Sequence, residues 1–124
     1  SEAMFSVDRK YFKPKFAYYA SGNFFTTFGN RLVRGVDSIA LKDPFTVVLS
    51  EELAERLFGD ENPVGKKIRQ NDANDFTVTG VFKDFPENSH MQFDLLYSYQ
   101  TYINYTSEKP EQPLTGMVFI IMSN

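Results

Sequence analysis

The clearest periodic segment of the chain is a helix-like pattern near its middle. Ser50 stands before this segment, where its hydroxyl can accept a hydrogen bond from a backbone amide of the first helical turn. Gly59 stands after it and is a typical residue for ending a helix. The pattern predicts a helix over Glu51–Phe58. Its apolar positions share one face, which we expect to be buried: Leu53, Ala54, Leu57 and Phe58.

Apolar runs elsewhere in the chain have the length and the alternation of β-strands. The predicted strands cover residues 15–20, 45–49, 66–70, 76–82, 91–99 and 117–122. In the fourth of these, strict alternation places one set of side chains on one face: Phe76, Val78, Gly80 and Phe82. The other face carries Thr77, Thr79 and Val81. A polar loop is predicted over 106–113.

A shorter helix is predicted over residues 22–28. Ser21 is the expected N-cap and Gly29 the expected end. Three phenylalanines fall on one face of this helix: Phe24, Phe25 and Phe28. With this helix, the predicted order of elements is β, α, β, α, β, β, β, β, and no internal repeat is present.

Six residues are predicted to fix tight turns or close backbone contacts. Four of them lie in the segment 59–65, which can continue neither as helix nor as strand. Another lies in the middle of a predicted strand, where glycine suggests a bulge or the close approach of another backbone. The last lies in the turn 84–89. The six residues are Gly59, Asn62, Pro63, Gly65, Gly80 and Pro86.

Composition narrows the possible functions. The chain has 124 residues with a formal net charge of −3, which argues against a nucleic-acid partner. Residues 1–42 carry seven basic and three acidic side chains, so the positive charge is concentrated there. The 13 Phe and 7 Tyr, with no Trp, fit either a β-rich core filled with aromatic rings or an aromatic platform for a sugar or another ligand.

The sequence offers little catalytic chemistry. Cysteine is absent and His90 is the only histidine, so we expect no metal site. The segment from Gly59 to Lys67 differs from a phosphate-binding loop in its spacing, lacks the Ser or Thr, and follows a helix. Residues 72–75 lack the later glycine and glutamate of a calcium loop. We therefore predict no catalytic, cofactor-binding or metal-binding residue.

Several longer phrases occur in a fixed order and spacing. Together they resemble the MacB-type periplasmic core domain of ABC transporter permeases, the MacB/FtsX-like family, over about residues 16–97. The phrases are NFFTTFG at 23–29, LVRG at 32–35, VVLSEELAERLFGDENPVGK at 47–66, FTVTGV at 76–81 and KDFPENSH at 83–90.

The resemblance implies an α+β fold: a mixed sheet with short helices, built from a porter-like βαβ part and a small inserted lobe. The predicted order of elements is compatible with that fold. We expect residues 1–124 to be a partial extracytoplasmic domain. Its porter-like part would comprise residues 1–49 and 90–124, and its inserted lobe residues 50–89.

The resemblance also implies a function without catalysis. Such a domain lies on the periplasmic side of the cytoplasmic membrane as part of an integral membrane protein. It transmits ATP-driven motion to substrate export or to a periplasmic partner. The implied partners are a second permease copy, a cytoplasmic ATPase domain or subunit acting through the membrane part, and a periplasmic adaptor protein. No cofactor is implied.

Two other functions remain open at this stage. One is a free-standing periplasmic or secreted module that binds a glycan or a peptide through its aromatic side chains. The other is a hydrolase that uses some pair of the 16 acidic residues. Hydrophobic segments of about 20 residues on both sides of the domain would distinguish a permease from either of these.

Overall fold

The computed structural model describes residues 4–29, 31–90, 92–105 and 120–122. Three helices are described, α1 Phe24–Thr27, α2 Glu51–Phe58 and α3 Tyr99–Tyr105. The strands are β1 Phe5–Val7, β2 Lys10–Phe12, β3 Ala17–Ala20, β4 Leu32–Gly35, β5 Thr46–Ser50, β6 Lys67–Gln70, β7 Asn74–Phe82, β8 Leu95–Ser98 and β9 Ile120–Met122.

All nine described strands belong to one mixed sheet. Its order is β2-β1-β6-β7-β5-β8-β3-β9, and β4 lies beside β7. The pairs β5–β7 and β3–β8 are parallel, whereas the other pairs are antiparallel. The longest strand, β7, pairs with β5 along one edge and with first β6 and then β4 along the other. Because α2 and β6 connect β5 to its parallel neighbour β7, this part of the chain is a crossover unit.

The two faces of the sheet carry two separate hydrophobic clusters. Val47 and Leu49 of β5 belong to the cluster that α2 covers, whereas Val48 belongs to the cluster that α1 covers. In β8, Leu95 belongs to the cluster that α2 covers and Leu96 to the cluster that α1 covers. Since successive strand residues point to opposite faces, the two helices lie on opposite sides of the sheet. The central strands are therefore buried on both faces.

Several sequence predictions are confirmed. The fold is α+β with a mixed sheet and short helices. Helix α2 has the predicted bounds, and its four stripe residues are buried. Ser50 Oγ accepts a hydrogen bond from the Leu53 amide at 3.1 Å. The strands predicted near 45–49, 66–70 and 76–82 are β5, β6 and β7.

The prediction for the first helix, over 22–28, is wrong in its bounds and in its cap. Helix α1 begins at Phe24 after Asn23, and no side chain makes the capping hydrogen bond. Ser21 contributes its backbone carbonyl, which accepts from the Phe24 amide at 3.0 Å. Phe24 and Phe25 are buried, but Phe28 follows the helix and is 46% exposed. One turn is too short to bring all three rings to the sheet.

The strand predicted over 91–99 is wrong at both ends, because β8 begins only at Leu95. Strand β8 stops at Ser98, and Tyr99 begins helix α3. The Ser98 and Thr101 hydroxyls lie 2.8 Å apart in a buried position where the chain changes direction. The β1–β2 hairpin and the short strand β4 were not predicted from the sequence. Residue 91, the loop predicted over 106–113 and residues 117–119 lie outside the described residues.

A bulge overturns the simple alternation predicted for 76–82. Val47 pairs with Val78 but Val48 pairs with Gly80, so Thr79 is an extra residue in β7. Val81 therefore joins the cluster that contains Val78, while Phe82 lies in the cluster on the other side. The single hydroxyl hydrogen of Thr79 is shared between the carbonyls of Ala40 and Val47, which holds the bulge in place.

Candidate functional site

The loop between α2 and β6 contains four of the six predicted turn residues and is attached at both of its ends. Gly59 has φ +62°, and its amide donates to Glu55 O at 2.8 Å, which ends α2. Gly65 has φ +91°, and its amide donates to Val78 O of β7 at 2.8 Å. Apart from the glycine and its two chain neighbours, no atom of the described residues lies within 4 Å of a Cβ built on Gly59 or Gly65. Glycine is favoured there by backbone torsion, not by lack of space.

Asn62 and Pro63 shape the loop between these glycines. The Asn62 side-chain oxygen accepts from the Val64 amide at 3.1 Å, and Pro63 O accepts from the Lys66 amide at 2.9 Å. Pro63 is buried although its neighbours in the loop are exposed. The structure therefore brings Gly59, Asn62, Pro63 and Gly65 together in one internally bonded loop.

Gly80 lies in a different place, next to the bulge of β7. A Cβ on Gly80 would lie 3.1 Å from Arg34 O of β4, which is tighter than most real contacts. On the opposing strand, a Cβ on Gly35 would lie only 2.5 Å from Thr79 O. The backbones of β4 and β7 therefore approach each other closely at these two positions.

Pro86 lies in a third place, the turn after β7. Its carbonyl accepts from the Ser89 amide at 2.9 Å. The Gln92 side-chain amide donates to Glu87 O at 2.7 Å and reaches Pro86 O at 3.4 Å. The Pro86 turn is thus tied to the chain that follows it.

A shallow groove of about 310 Å³ runs beside the 59–65 loop. On one side it is lined by α2 and the loop, including Glu55, Asp60 and Pro63. On the other side it is lined by Val33 and Arg34 of β4. The groove therefore lies between the 59–65 loop and β4, the strand that approaches β7 closely at Gly80.

Asp84, which was not predicted as a site residue, binds the N-terminus of α2. Asp84 Oδ1 accepts from the Glu52 amide at 3.2 Å, and the Asp84 amide donates to Glu51 Oε1 at 3.1 Å. Ser50 binds the next amide along, so two amides of the first turn have side-chain partners. The phrases at 47–66 and 83–90 contain these residues, but their spacing alone does not say that they meet.

The described residues offer no evident reaction chemistry. Among them, no group of three or more His, Cys, Asp and Glu side chains is placed to bind a metal ion. His90 is exposed. Lys66, which the phosphate-loop comparison singled out, pairs with Glu61 at 3.3 Å. The arrangement is suited to holding backbone segments in fixed positions.

Solved structures with the same fold come from bacterial transporters. A domain of a protein assigned as a permease from Porphyromonas gingivalis is 28% identical, with TM-score 0.67, and the match covers 99% of this chain and 56% of that one. The periplasmic region of MacB from Actinobacillus actinomycetemcomitans is 24% identical, with TM-score 0.63, and covers 100% and 55%. The extracellular domain of the noncanonic ABC-type transporter YknZ from Gram-positive bacteria shares the fold at 15% identity, with TM-score 0.54, covering 86% and 54%.

These comparisons define the class as an extracytoplasmic domain of a transporter permease. The sequence profile of the MacB-like periplasmic core domain matches residues 3–122, and the chain belongs to that family. The chain spans little more than half the length of the solved structures that it matches. No curated protein matches it. Each helix that the structure describes falls short of the length and hydropathy needed to span a membrane.

Proposed function

We propose that this domain acts without catalysis in an intact ABC permease and transmits ATP-driven motion to substrate export or to a periplasmic partner. It would lie on the periplasmic side of the cytoplasmic membrane as part of an integral membrane protein. Membership of the MacB-like periplasmic core family supports this proposal. The proposal also divides the domain into two parts. These are a porter-like part, residues 1–49 and 90–124, and an inserted lobe, residues 50–89.

The proposal includes three partners. A second permease copy would pair with this one. A cytoplasmic ATPase domain or subunit would drive the motion through the membrane part. A periplasmic adaptor protein would receive it. No cofactor and no nucleic acid takes part.

The observation that carries the proposal is the attachment of α2 to the sheet at both of its ends. Ser50 and Asp84 hold its N-terminus, and the loop from Gly59 to Gly65 joins its C-terminus to β7 at Val78. Four apolar side chains of the helix are buried against the sheet between these points. A force applied to α2 is therefore passed to β5 and β7 as a displacement of one body.

The test changes Gly65, whose positive φ makes a β-branched residue unfavourable. Gly65→Val adds strain of roughly 1–3 kcal/mol at the point where the loop meets β7. Because the position is exposed, we expect the fold to survive. In the reconstituted permease we expect near-normal ATP hydrolysis and a reduced ATP-dependent movement of the paired outer domains.

The movement can be measured with spin labels, because this chain contains no cysteine. A Glu55→Cys label on each copy, in a permease without other cysteines, reports the distance between the two α2 helices with and without ATP. Gly29→Val is the matched control, since Gly29 is exposed and lacks a positive φ, and an added Cβ meets no atom within 4 Å among the described residues beyond its chain neighbours. An unchanged ATP-dependent distance in Gly65→Val, with the distorted turn verified, would contradict the transmission role of this loop.

A further inference from the structure

A small apolar pocket lies on the face of the sheet that α1 covers. Its volume is about 110 Å³, somewhat less than the roughly 150 Å³ of an engineered apolar cavity that binds benzene. Phe28 lines it and is 46% exposed, so the pocket is accessible from solvent. Six aromatic rings form its walls: Phe24, Phe25, Phe28, Phe82, Phe85 and Phe93.

The one charged side chain among the residues lining this pocket is Arg31, and the structure holds it in place. Its carbonyl accepts from the Lys83 amide at 2.7 Å, and its Nη2 donates to Lys83 O at 2.7 Å. The guanidinium carbon lies 4.2 Å from the centre of the Phe85 ring, in cation–π contact. The guanidinium is therefore preorganised before any ligand arrives.

Arg31 nevertheless keeps an unused hydrogen-bond donor. Its Nε is buried and has no acceptor among the residues that the structure describes. A buried donor without a partner is uncommon, and a guanidinium donor pairs best with a carboxylate. An anionic oxygen supplied by another molecule would satisfy this donor.

Size, polarity and charge together restrict the occupant. The pocket accepts a branched aliphatic side chain, and the guanidinium beside it accepts a carboxylate. Because Arg31 itself lines the pocket, the aliphatic group and the carboxylate of the ligand must be attached to the same atom or to neighbouring atoms. The last residue of a polypeptide meets this condition because its side chain and its carboxylate are attached to one Cα.

We propose that this pocket binds the C-terminal residue of a partner polypeptide, with an aliphatic side chain among the phenylalanines and the terminal carboxylate on Arg31 Nε. Such binding goes beyond the transmission of motion and does not depend on it. A failure of either proposal leaves the other to be judged by its own experiment.

The test uses N-acetyl-L-leucine as the probe and the Arg31 Nε–H resonance as the readout by ¹H–¹⁵N NMR. For a ligand of this size we expect saturable shifts with a dissociation constant on the order of millimolar. N-acetyl-L-leucinamide, which lacks the carboxylate, is expected to cause no saturable shift over the same range. Acetate tests the carboxylate without a side chain, and octanoate tests a fatty-acid source.

Two variants and one control assign the binding to this pocket. Arg31→Lys keeps the charge but removes Nε, and we expect it to weaken binding about tenfold, as read from the backbone amides of the pocket. Phe28→Ala shortens one wall at an exposed position and is also expected to weaken binding. Arg34 lies on β4 and lines the groove beside the 59–65 loop, not the apolar pocket. Arg34→Lys is therefore expected to leave binding unchanged.

Several results would overturn the proposal. They are the absence of saturable shifts, equal binding of the amide or of acetate, and tighter binding of octanoate than of N-acetyl-L-leucine. Unchanged binding in Phe28→Ala would also overturn it. This variant decides the matter if circular dichroism shows that Arg31→Lys does not fold.

Discussion

At the scale of single residues, two positions of α2 face different surroundings. Leu57 is 6% exposed and packs in the core, whereas Glu55 is exposed on the other side of the helix. Leu57→Ala should lower the free energy of unfolding by about 2–5 kcal/mol, because it removes buried methyl groups and leaves a cavity.

Glu55→Ala is the matched control and should change the free energy of unfolding by about 0.5 kcal/mol or less. Urea unfolding of both variants, followed by circular dichroism, measures the difference. Similar losses in the two variants would show that the buried face of α2 is assigned wrongly.

The hydroxyl of Thr79 is a second residue with a specific role. Its one hydrogen is shared between the carbonyls of Ala40 and Val47, and this shared bond is lost in the nearly isosteric Thr79→Val. We expect a loss of about 1–2 kcal/mol in the free energy of unfolding. Thr77→Val on the same strand is the control, since the Thr77 hydroxyl accepts only from the exposed Lys67 side chain at 3.3 Å among the described contacts. Equal effects of the two substitutions would argue against a special role for the bulge.

At the scale of elements, the start of α2 depends on a residue that lies 32 positions further along the chain, since Asp84 binds the Glu52 amide. Asp84→Ala should lower the free energy of unfolding by about 1 kcal/mol, as the loss of other helix caps does. It should also speed hydrogen exchange at the Glu52 amide more than at the Leu53 amide, which Ser50 holds.

Asp60→Ala removes a carboxylate from another exposed position and is the control for Asp84→Ala. It should change neither the free energy of unfolding nor the exchange at Glu52. Normal exchange at Glu52 in Asp84→Ala would show that the contact does not persist in solution.

The elements differ in how well the sequence predicts them. An element is predictable when the residues that determine it are close together in the sequence, and not when its partners lie far along the chain. Helix α2 was predictable because its cap, stripe and ending glycine lie within ten residues. Strand β4 was missed because it is short and mostly exposed, and its pairing with β7 involves residues almost 50 positions away. Helix α3 was missed because Tyr99 continues the apolar alternation of β8, so the pattern hides the point where the strand ends.

The candidate site shows the same division. Gly59, Asn62, Pro63 and Gly65 were predicted as turn residues from the residue types next to them in the sequence. The proximity of Asp84 to α2 and of Arg31 to Phe85 arises from tertiary structure and has no local signal. Gly80 indicated a bulge or a close backbone approach in β7, but the alternation did not show that Thr79 is the extra residue, because Thr79 and Val81 look equivalent in the pattern.

At the scale of the whole molecule, the domain is expected to lack nucleotide hydrolysis of its own. The loop that contains Lys66 follows a helix, and Lys66 pairs with Glu61 at 3.3 Å. Purified domain should therefore release no phosphate from ATP above the buffer background in a coupled assay. Turnover that disappears in Lys66→Ala but persists in Lys67→Ala would contradict this expectation.

The extra residue in β7 also bears on how the gene can vary in length. Deleting the codon for Thr79 would restore simple alternation without moving Val81 or Phe82 to the other face, because both keep their partners on β5. The deletion would remove only the hydroxyl that bonds the carbonyls of Ala40 and Val47. The exposed turn at 71–73 joins β6 to β7 without contributing to either cluster, so an added codon there would leave the faces of the strands unchanged. In descendants of this gene, added codons should therefore accumulate at that turn, whereas the loss of one codon at Thr79 should remove the bulge and keep both clusters.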